Sequence, residues 1–123
     1  MAWVRGATDP VVALERMVET ASTYAPKIHR LALAFDAARR SDPAVRAAWD
    51  DRMTERRKGF RAIVRALAGA GRLADRWTVR TATDFLWTLL SVQTFDNLTT
   101  ECGWTPRRVA IELERVAVRA LVR

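Results

Sequence analysis

Few side chains in this sequence are of the kinds that carry out catalysis or bind metals. His29 is the only histidine and Cys102 the only cysteine, and neither has a second ligand or a base at the spacing that a metal site or a nucleophile requires. Asp50 and Asp51 begin no calcium-binding loop, and no glycine-rich phosphate loop occurs. These observations favour a packed or surface histidine, a solvent-facing acidic pair and a protein that is not an enzyme and uses no metal or cofactor.

The length and composition predict one domain that spans residues 1–123. Half of the 123 residues are hydrophobic, which is enough for a real core. No run approaches the roughly 18 uncharged apolar residues of a membrane span, and the first residues lack the apolar segment of a secretory signal. A single cysteine cannot form an internal disulfide. We therefore expect a cytoplasmic domain without a membrane partner.

The chain is basic, with 21 basic and 14 acidic side chains and a net charge of +7. Such a balance is typical of proteins that bind nucleic acids. However, 19 of the basic residues are arginine, and arginine and the abundant alanine both have GC-rich codons. The arginines are also spread through every segment of the sequence. We therefore expect this chain to make no direct contact with nucleic acid.

Helix start signals divide the sequence into its elements. Asp-Pro or Thr-Pro pairs at positions 9–10, 42–43 and 105–106 combine an N-cap with a proline suited to the first helical position. Pro26 is expected to end or kink the first helix, and Gly71 and Gly103 to end later ones. No segment alternates with the period of a β-strand. The sequence predicts an all-α, five-helix bundle with helices at about 10–26, 27–40, 43–68, 79–100 and 106–122.

The last two predicted helices have more apolar surface than one neighbour can cover. We therefore expect them to pair with the same helices of a second subunit, which would form a two-fold symmetric four-helix interface. The alternative is that the same side chains fill the core of a single subunit. The predicted interface residues are Leu90, Phe95, Leu98, Trp104, Val109, Leu113, Val116 and Ala120.

The order of several short motifs is similar to that in regulators of the tetracycline-repressor (TetR) family. In the C-terminal third, Ala82-Thr83-Asp84 is followed by Trp87, Ser91, Phe95 and then Gly103-Trp104-Thr105-Pro106. Upstream, the motifs are Ala37-Ala38, Ser41-Asp42-Pro43 with Val45 and Trp49, the Arg56-Arg57 pair and Gly71-Arg72-Leu73. Trp3-Val4 and Asp9-Pro10 resemble the segment that joins the two halves of such proteins.

This resemblance implies a regulatory domain that homodimerises and binds a small, mostly apolar effector. Members of the family begin with a three-helix DNA-binding domain. This sequence starts at what resembles the joint, with residues 1–8 as its remnant, so the chain as written is expected to have no helix that reads DNA. Two alternatives stay open: a ligand-free helical module that pairs with full-length relatives, and a small helical enzyme with a polar cluster in a cleft.

The expected effector pocket lies between the second, third and fourth predicted helices. Aromatic side chains with a few polar groups are typical of ligand sites. An arginine there must pair or reach water, because burial of a lone charge costs several kcal/mol, and Asp84 is one candidate partner. The alternative is ordinary packing, or a surface salt bridge for Arg56 and Asp84. The predicted pocket residues are Leu31, Phe35, Met53, Arg57, Phe60, Asp84, Trp87 and Ser91.

Overall fold

The computed structural model describes residues 9–123, and their regular structure is helical. None of these residues forms a β-strand; Leu73 and Val122 make one isolated antiparallel bridge. In the same part of the chain, no helix has both the length and the apolar character needed to cross a membrane. The predicted joint, with Trp3 and Val4, lies outside the described residues. The helices are α1 (Pro10–Ala38), α2 (Pro43–Gly69), α3 (Val79–Leu89), α4 (Val92–Asp96), a π-helical turn (Asn97–Glu101) and α5 (Pro106–Leu121).

The predicted helix starts are confirmed by their cap hydrogen bonds. The Asp9 carboxylate accepts from the Val11 amide at 2.8 Å, and Asp42 accepts from the Ala44 amide at 2.9 Å. The Thr105 hydroxyl accepts from the Arg108 amide at 3.1 Å. These bonds satisfy amide groups that the first turn of a helix leaves without partners. The α1, α2 and α5 starts therefore follow from local sequence.

The predicted boundary at Pro26 was wrong, because α1 continues through this residue as one helix of 29 residues. Pro26 has no amide hydrogen, so the Ser22 carbonyl loses its usual helical donor. Contacts on both sides of the proline hold the helix together. Leu14 and Val18 are fully buried before it, and Phe35 stacks on Trp49 of α2 after it, at 6.4 Å between ring centroids.

The predicted helix over 79–100 was also wrong in its length. It divides into α3, α4 and the π-helical turn, with the break at Leu90 and Ser91. The Ser91 hydroxyl accepts from the Thr94 amide at 3.2 Å, and the Thr94 hydroxyl donates to the Thr88 carbonyl at 2.9 Å. Short hydroxyl side chains compete in this way with helical hydrogen bonds. The described chain thus has four helices of eleven residues or more, not five.

The core lies at one end of the molecule. α1 packs against α5, α2 and α4, and α2 packs against α3. The Trp77 indole donates to the Ala120 carbonyl at 2.6 Å and ties the loop before α3 to the end of α5. The buried apolar residues are Ala13, Leu14, Met17, Val18, Phe60, Ile63, Val64, Leu67, Ala82, Leu86, Leu90, Phe95, Val109, Leu113, Ala117 and Leu121.

The second half of α1 and the first half of α2 extend away from this core. No residue between Ser22 and Phe60 is buried, so residues 23–59 form a helical hairpin that we call the helical arm. The arm is held by aromatic and polar contacts. The Arg39 guanidinium lies 5.2 Å from the centroid of the Trp49 ring, and Gln93 of α4 donates to the Asp36 carboxylate at 2.9 Å.

Candidate functional site

The α2–α3 contact brings three of the predicted pocket residues together. The Arg57 guanidinium pairs with the Asp84 carboxylate, so the arginine has the partner that the sequence suggested. The same guanidinium lies 5.6 Å from the centroid of the Trp87 ring, a favourable position for a cation–π interaction. Arg57 and Asp84 are both partly exposed, so this group faces solvent at the edge of the α2–α3 contact.

Arg56, the neighbouring residue, lies deeper in the same contact. Its guanidinium donates to the Leu90 carbonyl. This carbonyl has no amide donor from a following helical turn, because α3 ends at Leu89. The ring of Phe60 lies 5.2 Å from the guanidinium carbon. Burial, and then the charge of Arg52, lower the pKa of Arg56. A guanidinium nevertheless stays charged in proteins, so Arg56 brings a positive charge and spare hydrogen-bond donors into this region.

His29 marks the contact between α1 and α4. Its Nε2 atom lies 3.8 Å from the Asp96 carboxylate, and its ring meets the ring of Phe95 edge-on at 5.2 Å between centroids. The Nδ1 atom is buried and has no hydrogen-bond partner. If the imidazole proton is on Nε2, facing Asp96, Nδ1 holds a lone pair that can accept a hydrogen bond.

A second buried group without a partner lies on the same helix. Ser22 is only 6% exposed, and its hydroxyl makes no hydrogen bond. Ser22 and His29 are seven residues apart, which places both on one face of α1 about 10 Å from each other. The small side chain of Ala25 lies between them on that face. Because Pro26 has no amide hydrogen, the Ser22 carbonyl also lacks its helical donor.

The register of α1 and α2 places this face near Arg56. Met17 contacts Gly59, with its Cε atom 3.7 Å from the position that a β-carbon on Gly59 would take, and further along Phe35 stacks on Trp49. The two helices are therefore antiparallel, and the stretch from Ser22 to His29 lies at the level of about residues 52–56 of α2. Phe95 and Asp96 contact His29, and the Leu90 carbonyl accepts from Arg56. We call the group Ser22, His29, Arg56, Phe95 and Asp96, with the Leu90 carbonyl, the candidate site.

The other predicted pocket residues are dispersed. Leu31 is 70% exposed on the arm, and Phe35 faces Trp49 there. Met53 is half-buried, Phe60 belongs to the core, and Ser91 caps α4. Ser22, His29 and Asp96 were not predicted from the sequence as site residues. The one usable signal was Pro26 within a helical pattern, which frees a carbonyl on the side of α1 that carries Ser22.

Most of the predicted dimer-interface residues lie inside the subunit. Leu90, Phe95, Val109 and Leu113 are buried by the chain's own helices, and Val109 has no exposed surface at all. Leu98, Trp104 and Ala120 are half-buried. Val116 is 43% exposed, and Ile111, which was not predicted, is exposed on the same helix. Of the residues predicted at the interface, only Val116 is exposed, and it lies about 140° around the helix from Ile111. The buried residues fill the core of the subunit, as the alternative interpretation expects.

The remaining reactive side chains do not cluster. Cys102 is exposed and not in a disulfide. Among residues 9–123, no group of three or more His, Cys, Asp or Glu side chains is arranged to hold a metal ion. In comparisons with known proteins, the chain matches no protein-family model, no curated protein and no solved structure.

Proposed function

We propose that this chain is the effector-binding and dimerising domain of a transcription regulator similar to the tetracycline-repressor family, with the effector bound at the candidate site. The observation that carries this proposal is the pair of buried, unpartnered atoms, Ser22 Oγ and His29 Nδ1. A buried polar atom without a hydrogen bond costs about 1–3 kcal/mol. Such atoms persist where a water molecule or a ligand completes their hydrogen bonds.

The groups at the candidate site define the chemistry of the effector. His29 Nδ1 and the Ser22 carbonyl can accept hydrogen bonds, and Arg56 can donate them. The Ser22 hydroxyl can both donate and accept. The Phe95 ring contacts His29, and the Phe60 ring lies next to Arg56. The site therefore suits a mostly apolar molecule with a hydroxyl at the His29 end and an acceptor near Arg56. A phenol or an aliphatic hydroxy acid has this pattern.

Effector binding at this place would act on the relative positions of helices. The candidate site lies where α1, α2 and α4 meet, at the base of the helical arm. A ligand that bonds to both α1 and α4 favours arrangements in which these helices are close. If the effector binds one arrangement of the helices more tightly than another, it increases the population of the first arrangement. This shift is how the domain would report effector binding.

Differential scanning fluorimetry with a panel of phenols and hydroxy acids tests the effector site. We expect a subset to raise the melting temperature of the unmodified chain, and this rise to be lost in Ser22→Ala and His29→Leu. Thr23→Ala is the matched control, because the Thr23 hydroxyl is exposed and donates to the Glu19 carbonyl on the same helix. Equal ligand responses in Ser22→Ala, His29→Leu and the control would overturn the assignment of the site.

Dimerisation is supported by two exposed apolar side chains of α5, Ile111 and Val116, which lie about 140° apart around the helix. An open groove beside Ile111 is lined by Glu15 of α1 and by Glu114, Arg115, Val118 and Arg119 of α5. Analytical ultracentrifugation at micromolar concentration should show a dimer, and Val116→Glu should shift it to monomer. A monomer at all concentrations would contradict the dimerising role.

The second candidate function is a ligand-free association module, and one observation favours it. Tyr24, Ile28, Leu31 and Phe35 are exposed on the arm at spacings of four, three and four residues, the spacing of a coiled-coil seam. This stripe could pair without any effector. If Leu31→Glu, but not Val116→Glu, abolishes the dimer and no ligand raises the melting temperature, the second candidate replaces the first.

A further inference from the structure

The net charge of the chain is concentrated in one segment. Residues 56–83 contain eight basic side chains and one acidic one, a net charge of +7. The other 95 residues carry 13 basic and 13 acidic side chains and are neutral as a group. Basic residues are indeed spread along the whole sequence. Glu55 and Asp84 border this segment and pair with Lys58 and Arg57, but the segment itself contains only Asp75 to balance its other basic residues. A codon bias toward arginine does not explain where acidic residues are absent.

The fold gathers the charges of this segment along the α2–α3 contact. The ion pair between Arg57 and Asp84 places these residues at one level of the contact. Because the chain turns back through the short link over 70–78, we infer that α2 and α3 run antiparallel. One turn further along α2, Arg61 is therefore at the level of Arg80, one turn earlier in α3. The next turn of α2 brings Arg65 to the level of the loop that holds Arg76. Lys58, Arg61, Arg65, Arg76 and Arg80 form what we call the basic face.

The basic face is open to solvent, and most of its charges have no acidic partner. Arg65, Arg76 and Arg80 are exposed, and Arg61 is partly so. Among residues 9–123, no acidic side chain pairs with Arg61, Arg65 or Arg80, and Lys58 pairs with Glu55 of its own helix at 3.2 Å. Ala62, Ala66 and Gly69, also exposed on this half of α2, are small. The surface of this half of α2 is thus formed by small side chains, and the long cationic side chains project from it.

The exposed arginines and the lack of large apolar side chains on the basic face favour a nucleic acid over a membrane surface as the polyanionic partner. A helix that binds a membrane surface inserts large apolar side chains, and the exposed large apolar residues of the described chain are on α1 and α5, not on the basic face. A phosphodiester backbone needs no apolar anchor. It presents regularly spaced charges, and arginine forks bind phosphate oxygens in pairs. The span from Lys58 to Arg65 is about 10 Å along α2, long enough for more than one phosphate.

We propose that the basic face binds the phosphate backbone of a nucleic acid, without reading its base sequence. This reverses the expectation from composition that the chain makes no direct contact with nucleic acid. It rests on a different set of residues from the effector site and does not depend on that site. Binding of this type is dominated by the release of counterions from the phosphates and therefore weakens steeply with salt.

Fluorescence anisotropy with a labelled duplex DNA of arbitrary sequence tests this inference on the full chain. With about four phosphates neutralised, affinity should fall roughly 100-fold between about 50 and 200 mM salt. Arg65→Glu/Arg80→Glu should lower affinity at low salt at least 10-fold. Arg30→Glu/Arg107→Glu is the matched control, because it changes the net charge equally and both residues are exposed on other helices.

A loss of binding in Arg65→Glu/Arg80→Glu but not in the control supports the basic face as the binding surface. Equal losses in the two variants would show that only net charge matters and would overturn the proposal. An unmodified chain that does not bind the duplex at 50 mM salt would also overturn it, as would tighter binding to phosphatidylserine-containing vesicles than to the duplex. Circular dichroism of each variant verifies that the helices are intact.

Discussion

At the scale of single residues, the groups around a carboxylate decide whether its pKa rises or falls. Glu114 on α5 is half-buried and lies near Glu15 and Glu19 of α1. Burial first, and then the two neighbouring carboxylates, raise its pKa above the usual value. Asp36 behaves in the opposite way, since its hydrogen bonds with Arg39, at 2.6 Å, and with Gln93 lower its pKa.

Glu114→Gln should therefore stabilise the protein at neutral pH. A carboxyl group with a raised pKa in the folded state favours folding at low pH, and this contribution is lost as the pH rises through the folded pKa. The neutral amide avoids that loss. We expect the melting temperature at pH 7 to rise by about 1–3 °C and to change little at pH 4. A lower melting temperature at pH 7 would show that the Glu114 carboxylate is stabilised by its surroundings.

The Arg57–Asp84 pair should be measurably coupled, unlike an ordinary surface pair. A partly exposed ion pair contributes about 0.2–1 kcal/mol, and the position of Arg57 over Trp87 adds about 0.5–1 kcal/mol. Arg57→Ala should thus lower the unfolding free energy by about 1 kcal/mol. A double-mutant cycle with Asp84→Ala measures the ion pair, and the exposed Arg46–Asp50 pair, at 3.8 Å, is the control. A coupling no larger than that of the control would contradict this prediction.

At the scale of elements, the sequence predicted where helices begin better than where they break. Asp9, Asp42 and Thr105 act through bonds to their own next residues, so local sequence is sufficient. Pro26 is different, because whether it breaks a helix depends on the packing of residues far away. The break at Ser91 depends on the hydroxyl groups of Ser91 and Thr94, whose competition with helical hydrogen bonds apolar periodicity does not reveal. The candidate site was missed for the same reason, since His29 meets Phe95 and Asp96 of α4 only in the folded chain.

Pro26→Ala should increase stability, because it restores an amide hydrogen for the Ser22 carbonyl. A proline inside a helix costs up to about 3 kcal/mol, and the continuous α1 helix must overcome this cost through its contacts. We expect urea unfolding to give an unfolding free energy about 1–3 kcal/mol higher than that of the unmodified chain. If a bound effector uses that carbonyl, the same variant should respond less to it. An unchanged or lower unfolding free energy would mean that Pro26 does not destabilise α1.

At the scale of the whole molecule, the packed core and the helical arm are stabilised by different kinds of contact. The core buries residues from α1, α2, α3, α4 and α5, whereas no residue in the arm is buried. Which apolar residues of α5 the subunit itself buries could not be predicted from sequence for a related reason. Val109 and Val116 are equally apolar and both lie on α5, but only the fold determines that the first is buried and the second exposed.

Hydrogen exchange should separate these two regions. Segments with few buried contacts open at lower free energy than the core around them. Amides of residues 30–38 and 43–52 should therefore exchange faster than those of α3 and of Val109–Ala117 in α5, although all of these segments are helical. Mass spectrometry of peptic peptides provides the measurement. Equal protection of the arm and the core would show that a partner covers the arm in solution, and the same experiment on Leu31→Glu would then identify the exposed apolar stripe as the covered surface.

The contact between Gly59 and Met17 lies at the base of the arm, and its position has a mechanical consequence. From Ser22 to the end of α1 at Ala38, the arm extends about 24 Å. A tilt of about 5° at its base therefore displaces its far end by roughly 2 Å. Gly59 has no side chain to interlock with α1 at this point, so the hairpin can act as a lever that turns a small local adjustment into a movement of one to two bond lengths at its tip.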